Sequence, residues 1–424
     1  MRPTLSIPPF KYSGEIIAPA SKSVLQRAIA IASLQPRKTI ITGYTPSNDV
    51  EAALEIASRI GASWEINDRE LQIIGTKNVD LETIEINCGE AGLSTRMFAP
   101  IVATLSRQCS ISGEGSLLYR PLPGIIDALE QLGTRVKSNN EKLPIFTEGK
   151  AQAQNISIDG SHSSQLLTGL LIALSHQPLK TKISVSNLKS IPYAQMTLDL
   201  LQEFGIHIEN REFKEFVIPP FNPSLTQDIH IHAEGDWSGA AFHVVGAAIS
   251  GKVKLLGLDI NSSQADMQII HAIDKAGARW SWNQEEKSIT VEKNQLNAFE
   301  FDATHCPDLF PPLAVLAANC KGTSVIHGTH RLTHKESNRA LTIQEELSRL
   351  DIAVELENNT MKIHGFPVHS GSISSRNDHR IAMMGATFAA VSKAPIIIEK
   401  PSAVQKSYPS FFNDIEPMFS NISN

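Results

Sequence analysis

The chain has 424 residues, 42% apolar and 19% charged, with 38 Lys and Arg against 44 Asp and Glu for a formal charge of −6. That length predicts about two or three domains with sizeable cores, and the ordinary composition excludes collagen, coiled coil and intrinsic disorder. The acidic balance argues against a protein that coats nucleic acid, which needs a broad basic face, but leaves room for small anionic ligands that need only a few placed cations.

The chain opens MRPTLSIPPFKYSGEI, with no apolar signal-peptide core. The least charged long stretch, Ser161 to Lys180, is too polar to span a bilayer. A soluble cytoplasmic protein is the expectation. Cys88, Cys109, Cys306 and Cys320 form no C-x-x-C pair and are expected as reduced thiols. Cys306, Cys320, His327 and His330 fit no zinc spacing, so no metal is expected.

Taken in order, the predicted elements repeat. An amphipathic helix ending in a turn residue, followed by a short alternating strand, occurs in ALEIASRIGASWEI, IIDALEQLGTRVK, LDLLQEFGIHIE, IIHAIDKAGARWSW and IQEELSRLDIAVEL. The turn residues Gly61, Gly133, Gly205, Gly277 and Asp351 are separated by 72, 72, 72 and 74 residues. Glycine is expected just past a helix end because it takes the left-handed conformation without a Cβ penalty. Asp351 is a weaker version of the same cap.

A second series runs in step. Ser21, Gly92, Ser163, Asp236, Asp308 and Asp378 each precede an Ala-rich apolar run, at steps of 71, 71, 73, 72 and 70 residues. These predict six buried helices, each opened by a Ser or Asp cap or a glycine-containing turn. The chain therefore reads as six copies of a unit of about 70 residues with two helices and several strands, an α/β protein. Two globular halves of three copies each fit better than an open solenoid, since no solenoid signature is present.

Cations gather at or just before the helix starts: Lys22, Arg27, Arg96, Arg120, Lys335, Arg339, Arg380 and Lys406. Helix N-termini carry unpaired N–H groups and partial positive charge, which suits phosphate and carboxylate. Any one of these cations alone reads as a solvated surface charge, but their shared place in the repeat predicts a cleft for more than one small anion. Ser163, Ser164, Gln165 and Ser190 offer hydroxyl and amide groups for a phosphorylated polyol, with helix capping as the alternative for the two adjacent serines. Asp308 reads either as an N-cap or as a base facing a cationic pocket. Glu336 and Arg339 read alternatively as a helix ion pair. No Walker loop, complete dinucleotide fingerprint or G-x-S-x-G elbow is present, which disfavours nucleotide-driven and acyl-serine chemistry.

PASKSVLQRA, EAGLSTR, YRPL, SSQ, GDWS, KESNR, NDHRIAM and QKSYPSFF, in this order, resemble the EPSP synthase family of enolpyruvyl transferases along nearly the whole chain. The resemblance implies a two-domain inside-out α/β barrel of six βαβαββ-like units with the active site in the interdomain cleft. It implies a discontinuous domain of residues 1–20 and 234–424, with 21–233 inserted. The implied reaction moves the enolpyruvyl group of phosphoenolpyruvate to the 5-hydroxyl of shikimate 3-phosphate, on the route to chorismate and the aromatic amino acids.

By match to the family motifs, Lys22, Ser23 and Arg27 meet both substrates. Ser163, Ser164, Gln165, Ser190, Asp308 and Lys335 hold shikimate 3-phosphate. Lys22, Gly92, Arg120, Gln165, Arg339, Arg380 and Lys406 hold phosphoenolpyruvate. Asp308 serves as base, and Glu336 with Lys22 handles the methylene proton. No cofactor, nucleic acid or membrane is implied, and a monomer is expected. Three positions depart from the pattern: Glu90 and Arg331 each replace a common Asn, and Leu93 replaces a frequent Thr. The competing readings are a UDP-N-acetylglucosamine enolpyruvyl transferase and an inactive binding protein of the same fold. The first usually has Lys-Asn at Lys22-Ser23 and a reactive cysteine in the loop that here reads GEGSLLYRPL.

Overall fold

Five helices end as the turn-residue spacing predicts. In the computed structural model, which describes residues 3–77, 80–222, 227–365 and 370–422, Gly61, Gly133, Gly205 and Gly277 have φ of +97°, +88°, +76° and +89°, and Asp351 has +60°. Two backbone hydrogen bonds close each turn. Gly277 N–H donates to Asp274 O and Ala278 N–H to Ile273 O, both at 2.9 Å, and the same pair recurs at Gly61, Gly133, Gly205 and Asp351. This left-handed cap satisfies helix carbonyls that otherwise have no partner. It also turns the chain into the next strand: Ser63–Asn67, Arg135–Asn139, Glu209–Arg211, Arg279–Asn283 and Val354–Glu357.

Each such strand belongs to a four-stranded sheet of one topology. In the second copy Leu81–Asn87 and Ser106–Ser112 lie parallel, joined by the helix Gly92–Leu105, as a parallel pair requires a crossover. Lys142–Glu148 then pairs antiparallel with both Ser106–Ser112 and Arg135–Asn139. Five sheets follow this order. Two of them borrow their outer parallel strand from elsewhere in the chain. Ile229–His232 completes the sheet of Lys38–Thr42, and Glu15–Ile17 completes that of Lys252–Leu256. The sixth sheet has three described strands: Ser372–Ser374 and Ile396–Glu399 are parallel, and Thr4–Ile7 pairs antiparallel with the latter. The sixth copy thus has no cap of the glycine series, because an N-terminal strand takes the place of its hairpin.

Contacts divide the chain into two compact units, residues 22–233 and residues 1–21 with 234–424. Three apolar helices lie at the centre of each. In the first unit these are Lys22–Ala32, Gly92–Leu105 and Gln165–Leu174. In the second they are Trp237–Ser250, Phe310–Ala318 and His379–Ala389, with every residue buried. The sheets lie outside these helices, one face buried and the other exposed, as in the alternation along Lys142–Glu148. Among the described residues no helix is long and apolar enough to cross a membrane.

The central helix Trp237–Ser250 carries a titratable group in this apolar setting. His243 is 0% exposed, stacks on Phe411 with centroids 4.9 Å apart, and lies 3.0 Å through Nε2 from Tyr408 Oη, which donates to Asp414 at 2.7 Å. Burial holds its imidazole down to about 3. It therefore stays neutral in the folded chain while the unfolded chain takes up a proton below about pH 6.5.

Two outcomes follow from these features. Gly277→Ala introduces a Cβ that meets nothing closer than 3.7 Å, so its cost of about 1–2 kcal/mol is the left-handed backbone alone, read from urea unfolding. His243 stabilises the fold above pH 6.5, and that contribution is lost as the pH falls from 6.5 toward 3. His243→Phe keeps the ring stack, and its unfolding free energy between pH 6 and 4.5 should fall less steeply than wild type by about 1.4 kcal/mol per pH unit.

Candidate active site

In the unit of residues 22–233, three helix openings present polar groups. The helix Lys22–Ala32 begins with Lys22, whose Nζ donates to Asp49 Oδ2 at 2.7 Å. One turn on, Gln26 donates to Ser94 Oγ at 2.8 Å and to the carbonyl of Asp49 at 3.0 Å, tying this helix to Gly92–Leu105. Gly92 opens that second helix. A Cβ here would meet Arg96 Nη1 at 3.1 Å and Arg120 Nη1 at 3.4 Å, so the glycine backbone lies directly beneath two guanidinium groups. Arg96 also reaches Gln165 Oε1 at 3.3 Å, at the start of Gln165–Leu174. Gly92, Arg96, Arg120 and Gln165 therefore form one neighbourhood.

Ser163 accepts from the N–H of Gln165 at 3.2 Å, whereas Ser164, at the N-cap position, makes no side-chain capping bond. Only the first of the two serines acts as a cap. Ser190 opens the helix Ile191–Glu203 in the left-handed conformation, φ +54°, a backbone that a residue other than glycine rarely adopts. Ser23 sits beside Lys22 in the first turn of its helix.

Arg27 is 1% exposed. Its Nε donates to Thr197 Oγ1 at 3.0 Å, Nη1 to the Ser23 carbonyl at 2.8 Å and Nη2 to Thr168 Oγ1 at 3.4 Å. Burial lowers this guanidinium to about 10. It clamps the helices that begin at Lys22, Gln165 and Ile191.

In the other unit the centre of the cluster is Asp308. Its Oδ1 accepts from Arg339 Nη1 at 2.7 Å and Lys335 Nζ at 3.1 Å, and Oδ2 accepts from Arg380 at 3.2 Å. Burial pushes the Asp308 carboxyl up, but Arg380, Lys335 and Arg339 outweigh this and hold it well below the usual carboxylate range. Burial lowers the Lys335 ammonium, partly offset by Asp308. The helix Phe310–Ala318 starts after Asp308, so this carboxylate is an ion-pair centre in the preceding 3-10 turn Pro307–Leu309 rather than the N-cap.

Arg339, with a side chain 0% exposed, binds two more carboxylates. It reaches Glu336 Oε2 through Nη2 and Asp378 through Nε at 2.9 Å and Nη2 at 3.2 Å. Glu336 precedes the helix Arg339–Ser348, so this pair is not made within a helix. Asp378 also caps His379–Ala389 by accepting from the N–H of Arg380 at 3.0 Å. Lys406, in the 3-10 turn Pro401–Lys406, donates to the Asn377 carbonyl at 2.6 Å.

Three participants were not marked as site residues by the sequence. Asp49 sits in an ordinary amphipathic helix, Asn48–Arg59, with no motif to flag its pairing with Lys22. Asp378 is legible as a cap, but its hold on Arg339 is a tertiary contact. Asp266, fully buried, accepts from Ser238 Oγ. Burial first, then the charge of Asp308, push its carboxyl up to about 6. Among the described residues, no group of three or more His, Cys, Asp or Glu is placed to hold a metal ion. All four cysteines are buried thiols.

Two solved structures share the architecture. An EPSP synthase from Acinetobacter baumannii matches with a TM-score of 0.80 at 24% identity, covering 98% of both chains. The enolpyruvyl transferase NikO from Streptomyces tendae matches with a TM-score of 0.74 at 16% identity, covering 98% of this chain and 97% of that one. The fold is thus the two-domain inside-out α/β fold of the enolpyruvyl transferases.

The sequence narrows the class. The model of the EPSP synthase (3-phosphoshikimate 1-carboxyvinyltransferase) family matches residues 8–415. A 3-phosphoshikimate 1-carboxyvinyltransferase of Clostridium novyi (strain NT) is 34% identical over 423 residues, covering 97% of this chain and 96% of that one. Another, of Pyrococcus abyssi (strain GE5 / Orsay), is 35% identical over 407 residues, covering 95% and 94%. The chain belongs to the EPSP synthase family and is a transferase.

Asp378→Ala would leave the buried Arg339 charge with two of its three carboxylates. Because breaking a buried ion pair from one side costs about 3–5 kcal/mol, a loss near 3 kcal/mol is expected. Urea unfolding of purified wild type and variant measures it, and an Asp378→Ala loss below 1 kcal/mol would contradict the role given to this contact.

Proposed function

We propose that this chain transfers the enolpyruvyl group of phosphoenolpyruvate to the 5-hydroxyl of shikimate 3-phosphate, releasing phosphate. The observation that carries the reading is Asp308, a single carboxylate held by Lys335, Arg339 and Arg380 with Glu336 on the same Arg339. In this state Asp308 is a weak base. Anionic substrates compete for its three cations, and each cation drawn away raises the proton affinity of Asp308. Binding therefore switches on the base.

Asp308 then takes the proton of the 5-hydroxyl, and the hydroxyl oxygen bonds to C2 of phosphoenolpyruvate as C3 gains a proton from Glu336 or Lys22. Loss of phosphate from the tetrahedral adduct and return of a C3 proton to the same groups restore the double bond. Gly92, Arg120, Gln165, Arg339, Arg380 and Lys406 hold the phosphoenolpyruvate anion. Ser23, Ser163, Ser164, Gln165, Ser190 and Lys335 hold shikimate 3-phosphate. Arg27, enclosed by Thr168, Thr197 and the Ser23 carbonyl, serves this set chiefly by holding the three helix openings together.

Each preorganised donor accounts for about 3–4 kcal/mol of barrier, and orientation of the two substrates for about 7–11 kcal/mol at most. The four buried thiols support a reducing compartment such as the cytoplasm.

Phosphate release should require shikimate 3-phosphate and phosphoenolpyruvate together. Release with UDP-N-acetylglucosamine in place of shikimate 3-phosphate would move the chain to the sister activity, and the absence of release with either acceptor would favour an inactive binding protein. Asp308→Ala should lower kcat at least 100-fold while calorimetry still detects shikimate 3-phosphate binding. Unchanged turnover would remove Asp308 from the chemistry.

A further inference from the structure

Glu90 lies two residues before the glycine beneath the Arg96 and Arg120 guanidinium groups, where an extra negative charge should oppose anion binding. The structure shows its carboxylate engaged with a neighbouring turn. Ser116 N–H donates to Glu90 Oε2 at 3.3 Å. Ser116 belongs to the one-turn 3-10 helix Gly115–Tyr119. The approach is close enough that a Cβ on Gly115, itself at φ +53°, would lie 2.4 Å from the Glu90 carboxyl.

The base of the turn is pinned by Glu114 N–H to the Gly89 carbonyl at 2.7 Å and by Asn87 Nδ2 to Glu114 Oε1 at 2.8 Å. The turn in turn holds the cation: Arg120 Nη2 donates to Ser116 Oγ at 3.1 Å, and Arg120 N–H to the Leu117 carbonyl at 3.2 Å. Arg120 is 8% exposed, with Nη1 beside Gly92. A chain of contacts therefore runs from the Glu90 carboxylate through Ser116 to the guanidinium over Gly92.

We propose that Glu90 is a positioning residue that seats the Gly115–Tyr119 turn and, through Ser116, fixes Arg120 over Gly92, thereby setting the affinity for the phosphoenolpyruvate-type dianion. The inference rests on the reading that Gly92 and Arg120 receive phosphoenolpyruvate. Glu90 has two opposed effects. As an acceptor it orders the turn, and as a charge it opposes the ligand. A residue that matters only for folding would not separate the two.

The test measures initial rates with each substrate varied in turn. Glu90→Ala removes the acceptor, and KM for phosphoenolpyruvate should rise roughly five- to tenfold. KM for shikimate 3-phosphate and kcat should stay within about twofold. Glu90→Gln keeps an acceptor of the same length without the charge, so its KM for phosphoenolpyruvate should be at or below the wild-type value. Ser116→Ala should raise the same KM, and the double variant Glu90→Ala with Ser116→Ala should fall short of the product of the single effects.

A wild-type KM for phosphoenolpyruvate in Glu90→Ala, equal losses in Glu90→Ala and Glu90→Gln, or independent effects in the double variant would each overturn the proposal. If Glu90→Ala fails to fold, Glu90→Gln and Ser116→Ala still decide it. Wild-type protein that releases no phosphate from the two substrates would instead overturn the underlying functional reading.

Discussion

One buried guanidinium organises the chemistry of the discontinuous unit. Arg339 has no contact with solvent, yet it binds carboxylates from three separate segments: Asp308 in a 3-10 turn, Glu336 in the loop before its own helix, and Asp378 at the N-terminus of a central helix. An isolated buried charge is untenable, so these segments must come together for Arg339 to be buried at all. The same condition brings Lys335 and Arg380 onto Asp308. Folding and site assembly are therefore one event here, and the cations are already in place before any anion arrives.

The inserted unit solves the corresponding problem differently. Two of its cations rest on neutral groups, Arg27 on two threonine hydroxyls and a carbonyl and Arg120 on a serine hydroxyl, while Lys22 pairs with the Asp49 carboxylate. A hydrogen bond to a neutral hydroxyl or carbonyl cancels less of a guanidinium charge than a carboxylate does, which favours phosphate and carboxylate. The discontinuous unit instead ties Lys335, Arg339 and Arg380 to the one carboxylate of Asp308, so anion binding to these cations must exchange one partner for another. That difference suits the roles proposed for them: one set receives anions, and the other couples anion arrival to the proton affinity of Asp308.

Repetition makes both arrangements possible. A parallel strand pair needs a crossover, and four of the six buried helices are that crossover, so the helix N-terminus emerges at the same point of each of those copies. Sequence changes at that point alter chemistry without disturbing the central packing. Serines, glycine with arginine, and aspartates can therefore stand at equivalent places on one frame.

The periodicity of turn residues and apolar runs made the frame legible in one dimension, because helix caps and helix-face burial depend on local spacing. Gly61, Gly133, Gly205, Gly277 and even Asp351 end their helices as that spacing requires, since a left-handed residue is a local condition. Lys22, Gly92, Gln165 and Ser190 were legible as helix openings for the same reason, whereas Lys406 closes a 3-10 turn and Arg120 follows one. What required the tertiary structure was which charge meets which. The pairing of Lys22 with Asp49, the burial of Asp266 near Asp308, the enclosure of Arg27 and the turn of Glu90 toward Ser116 join residues up to 170 positions apart. Long-range electrostatic partners are chosen by the packing of whole elements, and no local pattern in the chain encodes them.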